Sequence, residues 1–414
     1  MDASAPPPSR ERIATLDLIR GLAVLGILAV NAEGFAATFS AYGSPGLWPF
    51  PNEGASAAAK WIVDAFFHQK FISLFSMLFG ASIFLMGGER DERGAEDRGR
   101  RLRRRLFWLF VFALFHGLAL WWGDVLLLYA WSGVFVMLAR SWSVRRLAIV
   151  GGLLFGLFAA LQILGGLALQ FAPAEVQTQV AAATGATPER LAAVRAEIAE
   201  AAGSLAGAYR QNTSGWMSLQ APSVMAFVFP TTGLMMIGLA LFKSGFLSGA
   251  RSLRAYAVTL STAAAALVAA AAALVVVVAR LEWGQVMNGA ESPLAGGVDF
   301  LLNPLIGLGY ASILILLWKA GHAGVLSPLA AAGRMAFTNY LTQSLMMTTL
   351  FYGGRGFGLM GQVDRPALWG IVVAVWALQL VWSALWLRRF QMGPLEWLWR
   401  SLTEGRRLPI RRTA

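Results

Sequence analysis

The residues best suited to chemistry in this chain are His116 and Asp124, which flank a tryptophan-rich turn in HGLALWWGD. An aspartate beside a histidine can orient the imidazole ring and stabilise its protonated form, so this pair could take a proton from a hydroxyl or an amine. A second polar set, Asp17, Arg20, Asn31 and Glu33, interrupts the first long apolar run. At ~100° per residue, Arg20 and Asn31 fall within about 20° of each other, with Asp17 about 60° to one side. Such a face could bind a carbonyl group or stabilise negative charge developing on it. Lys70 shares a helical face with Ser73, Ser76 and Gly80. Asn339 and Gln343 lie one turn apart, with Thr338 and Thr342 beside them and Arg334 just upstream. The arginines from Arg98 to Arg105, among them Arg101, Arg104 and Arg105, could hold phosphates, which guanidinium groups grip in bidentate fashion. The chain has no cysteine and only 3 histidines, far apart, so we expect neither a thiolate nucleophile nor a metal site.

Each group also admits a plainer reading. Asp17 and Arg20 form an i, i+3 pair, and Asn31 and Glu33 could simply reach the opposite membrane surface. His116 could bond a neighbouring helix, Lys70 could snorkel to the interface, and Asn339 and Gln343 could glue helices together. The arginine run could be a solvated loop attracting anionic lipid, and Glu396 with Arg400 an ordinary surface pair.

The elements that must position these residues are apolar. Of 414 residues, 57% are hydrophobic and 14% charged, with a mean hydropathy of +0.59, and apolar runs recur from end to end. This pattern indicates an all-α polytopic membrane protein and excludes a transmembrane barrel, which would show short alternating segments. The net charge of +12 does not point to nucleic acid, because the basic residues sit in short connections between apolar runs. We read about ten spans, at 14–35, 66–87, 104–122, 124–140, 145–171, 222–242, 253–280, 298–318, 327–351 and 367–387. Placing both termini in the cytoplasm puts most of the 34 Lys and Arg inside. The whole chain, 1–414, then forms a single transmembrane domain. Residues 172–221 are an extracytoplasmic helical insertion, with Thr187 as N-cap and Pro188 in the first turn of a helix. Residues 281–297 form an acidic external loop, and 388–414 a cytoplasmic amphipathic tail. His116 lies roughly 16 Å along its helix from Arg105, near mid-membrane.

Several stretches resemble the YeiB-like family of bacterial membrane proteins, the group labelled domain of unknown function 418: LDLIRGLAVLGILAVN, KFISLFSMLFGASIF, HGLALWWGDVLLLYA, GRMAFTNYLTQS and GPLEWLWR. The family is similar, more distantly, to membrane acyltransferases, a likeness carried by Asp17 and Arg20 through Asn31. That resemblance implies a multi-pass protein of the bacterial cytoplasmic (inner) membrane. It also implies an acyl-CoA donor bound from the cytoplasm and a small-molecule, glycan or lipid acceptor modified on the outer side. The sugar O-acyltransferases carry a histidine where Asn31 stands, and AEGFAATFSAYGSPGLWPF supplies none. The base is therefore expected to be His116, assisted by Asp124, and without cysteine direct transfer is favoured over a cysteine relay. The alternative is a transporter or lipid exporter whose path is lined by Arg20, Lys70 and Asn339, gated at Pro304 and Gly353–Gly354. Membrane lipid is a partner in either case, and the residues leave homo-oligomerisation open.

Overall fold

A backbone crossing hydrocarbon must satisfy its own N–H and C=O groups, and long runs of Leu, Ala, Val and Phe do so as helices. The computed structural model, which describes residues 13–42, 44–280 and 293–412, builds its regular structure there from helices, with one isolated bridge between Phe390 and Arg411. Helix α1 spans Ala14–Ala36 and leads through a loop to α2, Gly54–Phe66. Then follow α3, Lys70–Gly87, α4, Ala95–Phe115, and α5, Leu126–Ala139. Helix α6 covers Val144–Gln170, and the insertion contributes α7, Ala174–Thr184, and α8, Pro188–Gly203. Thr187 caps α8 as expected, accepting a hydrogen bond from the Arg190 amide. Helix α9 is a single rod over Leu205–Lys243 that begins well before the expected span at residue 222 and carries Pro222 and Pro230 inside it. Next come α10, Leu253–Arg280, and α11, Pro293–Lys319. The remaining helices are α12, Ala323–Arg334, α13, Ala336–Phe351, α14, Arg365–Arg389, and α15, Pro394–Glu404. The N-terminal arm to Arg12 and residues 281–292 of the expected acidic loop lie outside the described residues.

Seven helical stretches are long and apolar enough to cross a membrane. The other expected spans fall short for separate reasons. Helix α4 begins in the arginine run, α5 has 14 residues, and 327–351 is divided at Met335 into α12 and α13. Two crossings lock the bundle through glycines. Gly21 of α1 meets the Leu329 carbonyl of α12, and Gly333 of α12 meets the Asp17 carbonyl of α1. Gly80 of α3 and Gly238 of α9 likewise face the carbonyls of Met235 and Met77. A Cβ at any of these four would strike backbone, so the helices can approach this closely only at glycine. Overpacking costs about 1–3 kcal/mol and more where backbone must move. Gly80→Val is expected to lower the melting temperature in detergent strongly. Gly152→Val, whose side chain would enter open space, should leave it unchanged.

Candidate functional site

Three helices bring periodic faces together. Arg20, Val24 and Ile27 of α1, Arg105 and Leu109 of α4, and Phe337 and Tyr340 of α13 recur at helical spacing and wall one chamber of about 500 Å³. Its middle is apolar, closed by Phe75, Leu78 and Phe79 of α3. Its mouth is basic: Arg20, Arg105, Arg334, Arg400 and Arg412 all line it. Arg20 pairs with Asp17 at 3.1 Å, Arg105 lies 3.9 Å over the Trp399 ring, and Arg334 donates to the Gln391 carbonyl at 3.0 Å.

Glu396 is the one carboxylate on this wall among the described residues, and it is already engaged. It accepts from the Phe337 amide at 2.7 Å, the Thr338 amide at 3.0 Å and the Thr338 hydroxyl at 2.5 Å. The expected surface pair with Arg400 is therefore replaced by a cap on α13, because free N–H groups at a helix start attract a carboxylate more strongly than an exposed cation does. Burial pushes the Glu396 carboxyl above its ordinary 4.5, against the pull of those donors. A raised folded value means that its contribution to stability is complete below pH 4.5 and is lost as pH rises through the raised value. Glu396→Gln is expected to flatten the dependence of melting temperature on pH above that point. Glu396→Ala should cost about 1 kcal/mol through the lost cap.

Beyond the chamber's inner end lies His116, fully buried in a π-helical turn, His116–Leu120. Its Nδ1 is 2.8 Å from Asp124 Oδ1 and its Nε2 is 2.8 Å from Ser344 Oγ. Asp124 also accepts from the Leu126 and Leu127 amides at 3.2 and 2.9 Å, capping α5, which fixes the carboxylate. An ionised carboxylate only accepts, so a neutral ring carries its proton on Nδ1, and Nε2 accepts from the Ser344 hydroxyl. The wide turn frees carbonyls that other side chains satisfy. Asn212 donates to Gly117 and Leu118, and Arg355 to Ala119 and Leu120. Between ring and chamber stands Tyr340, 5.1 Å from His116 centroid to centroid, its buried hydroxyl facing the Val125 amide and giving its own proton to no acceptor among the described residues.

The other expected site residues are placed elsewhere. Asn31 continues the Arg20 face one turn past Ile27, half-buried and off the chamber wall. Glu33 pairs with Arg365 at 2.7 Å. Lys70 bonds the Asp64 carbonyl at 2.8 Å and Asp299 at 3.3 Å, away from the chamber. Asn339 bonds Ala332, Ser383 and Trp382, and Gln343 bonds Val24 and Gln379, so both tie α13 to its neighbours. Of the three arginines expected to hold phosphate, only Arg105 reaches the chamber. Arg101 pairs with Glu404 at 3.6 Å and Arg104 donates to the Leu402 carbonyl at 3.1 Å, which fastens α15 to α4. Ser344, Tyr340, Arg400 and Arg412 were not expected; the first two sit four residues apart on the polar ninth stretch, a spacing that places them on one face.

A helical membrane protein with a basic-mouthed, apolar-walled chamber is the class that this fold and site define. The chain belongs to the YeiB-like family. Residues 241–406 match the family model described as Protein of unknown function (DUF418). The chain is 33% identical over 404 residues to Uncharacterized protein YeiB of Escherichia coli, covering 95% of this chain and 96% of the relative. It is 32% identical over 419 residues to Uncharacterized protein YxaH of Bacillus subtilis, with 97% of each covered. A protein of Bacillus acidopullulyticus, described as an uncharacterized 39.9 kDa protein in the amylase 3′ region, is 26% identical over 405 residues, 97% of this chain and 96% of its own.

Proposed function

We propose that the protein is an acyltransferase of the bacterial cytoplasmic membrane, taking an acyl group from a coenzyme A thioester and passing it to a hydroxyl or amine acceptor. The observation that carries this reading is the amphipathic chamber itself. Five arginines ring its mouth, apolar side chains wall its middle, and the His116–Asp124 pair lies one side chain beyond its inner end. A phosphate-bearing head would bind the guanidinium groups while the acyl chain lies against Val24, Ile27 and Phe79. In this reading the chain crosses the membrane ten times with both termini in the cytoplasm, so the basic mouth faces the cytoplasmic coenzyme pool. The acceptor is a small molecule, glycan or lipid reaching the centre from the outer side, with membrane lipid around the bundle.

The transporter alternative draws less support. Lys70 and Asn339 are held in other hydrogen bonds, α11 runs unbroken through Pro304, and Gly353–Gly354 packs against Ala202 and Leu205. The test is release of free thiol from octanoyl-CoA by purified protein in lipid nanodiscs. Saturable release supports the assignment, whereas its absence in folded protein at any acceptor concentration rules it out.

A further inference from the structure

We infer that Ser344 is the first acceptor of the acyl group, so that transfer passes through an ester on the protein. This rests on the acyltransferase reading above and concerns its route. The argument starts from the occupancy of His116. Asp124 holds Nδ1 and Ser344 holds Nε2, each at 2.8 Å, so neither ring nitrogen is free to accept the proton of an outside hydroxyl. The proton already aimed at the base is the one on Ser344 Oγ. An Asp–His–Ser line on three elements, with the histidine in the tautomer that activates a hydroxyl, is the geometry of a serine nucleophile, whatever the fold around it.

A second observation is independent of the first. Tyr340 lies one turn before Ser344 on the same face of α13, on the chamber wall, with the Val125 amide facing its buried oxygen and no acceptor for its proton among the described residues. A hydroxyl whose proton has no acceptor, beside a nucleophile, is suited to donate to negative charge developing on a carbonyl oxygen.

The step balances as follows. Ser344 Oγ attacks the thioester carbonyl as its proton passes to His116 Nε2, and Tyr340 donates to the tetrahedral oxygen. The carbon–sulfur bond breaks, and the leaving thiolate takes the proton from Nε2. The acceptor's hydroxyl or amine then gives its proton to Nε2 and attacks the Ser344 ester, and Ser344 Oγ recovers the proton. The ring of Tyr340 must swing aside for the thioester to reach Ser344, because it stands between the chamber and the histidine.

The test uses the full chain in nanodiscs with octanoyl-CoA and no acceptor. Wild type should release thiol in a burst of about one equivalent per protein, and the peptide holding Ser344 should carry an octanoyl ester that neutral hydroxylamine removes. Ser344→Ala should lose both, and Ser344→Cys should recover the burst with the acyl group on sulfur. Tyr340→Phe should slow the burst on the order of 10²–10³-fold without weakening binding. If folded Ser344→Ala releases thiol at the wild-type rate while His116→Ala does not, the serine route is overturned and direct transfer, to water here, stands. If wild type binds octanoyl-CoA and releases no thiol in this acceptor-free assay, the serine route is overturned.

Discussion

His116→Ala is expected to reduce acyl transfer to background while leaving octanoyl-CoA binding within about twofold. A positioned general base is worth about 10²–10⁴-fold in rate. His116 does not line the chamber, so its removal leaves the mouth arginines and the apolar wall in place. The fold should survive. Asp124 loses the ring but keeps its two amide donors from α5, and Ser344 loses its partner, at a cost of about 1–3 kcal/mol. His116→Gln, which retains hydrogen-bonding capacity, should restore melting temperature and not rate. Full activity in either folded variant would rule out His116 as the base.

The second large effect concerns the mouth. Arg105 and Arg400 both line it, and Glu396, the one carboxylate near them on that wall among the described residues, is taken up by the start of α13. A charge-assisted hydrogen bond contributes about 1.5–3 kcal/mol, roughly tenfold or more in affinity. Arg105→Ala combined with Arg400→Ala is therefore expected to weaken octanoyl-CoA binding at least hundredfold by calorimetry. The loss should shrink at high salt, which screens the same charges in wild type. Arg100→Ala is the control, since that side chain is 69% exposed and pairs with Asp97. Unchanged affinity in the double variant would show that the phosphates bind elsewhere.

Much of this was readable from the residues. Apolar runs located the helices, because hydrocarbon forces that choice. The His116–Asp124 pair was readable because a turn too short to separate two helices keeps its ends together. What escaped depends on contacts distant in sequence. Ser344 lies 228 positions from His116, and no local pattern links them. Glu396 seemed bound to Arg400 by helical spacing, yet the broken ninth stretch exposes amide groups at Phe337 and Thr338 that outcompete a surface cation. The break itself was hidden because no proline or glycine stands at Met335. It falls just past Gly333, where α12 crosses α1 closely. Arg101, Arg104 and Arg105 look alike in the chain, and only the docking of α15 separates fasteners from chamber wall.

The grip of Glu396 on α13 has a mechanical consequence. Helix α15 supplies Arg400 and Trp399 to the entrance, while the rod it clamps at Phe337 and Thr338 carries Tyr340 and Ser344 within its next two turns. A headgroup drawing the arginine inward would tug on that rod, so loading the donor and unlatching the phenol ring would be coupled. Water would then be kept from the activated serine until cargo had arrived.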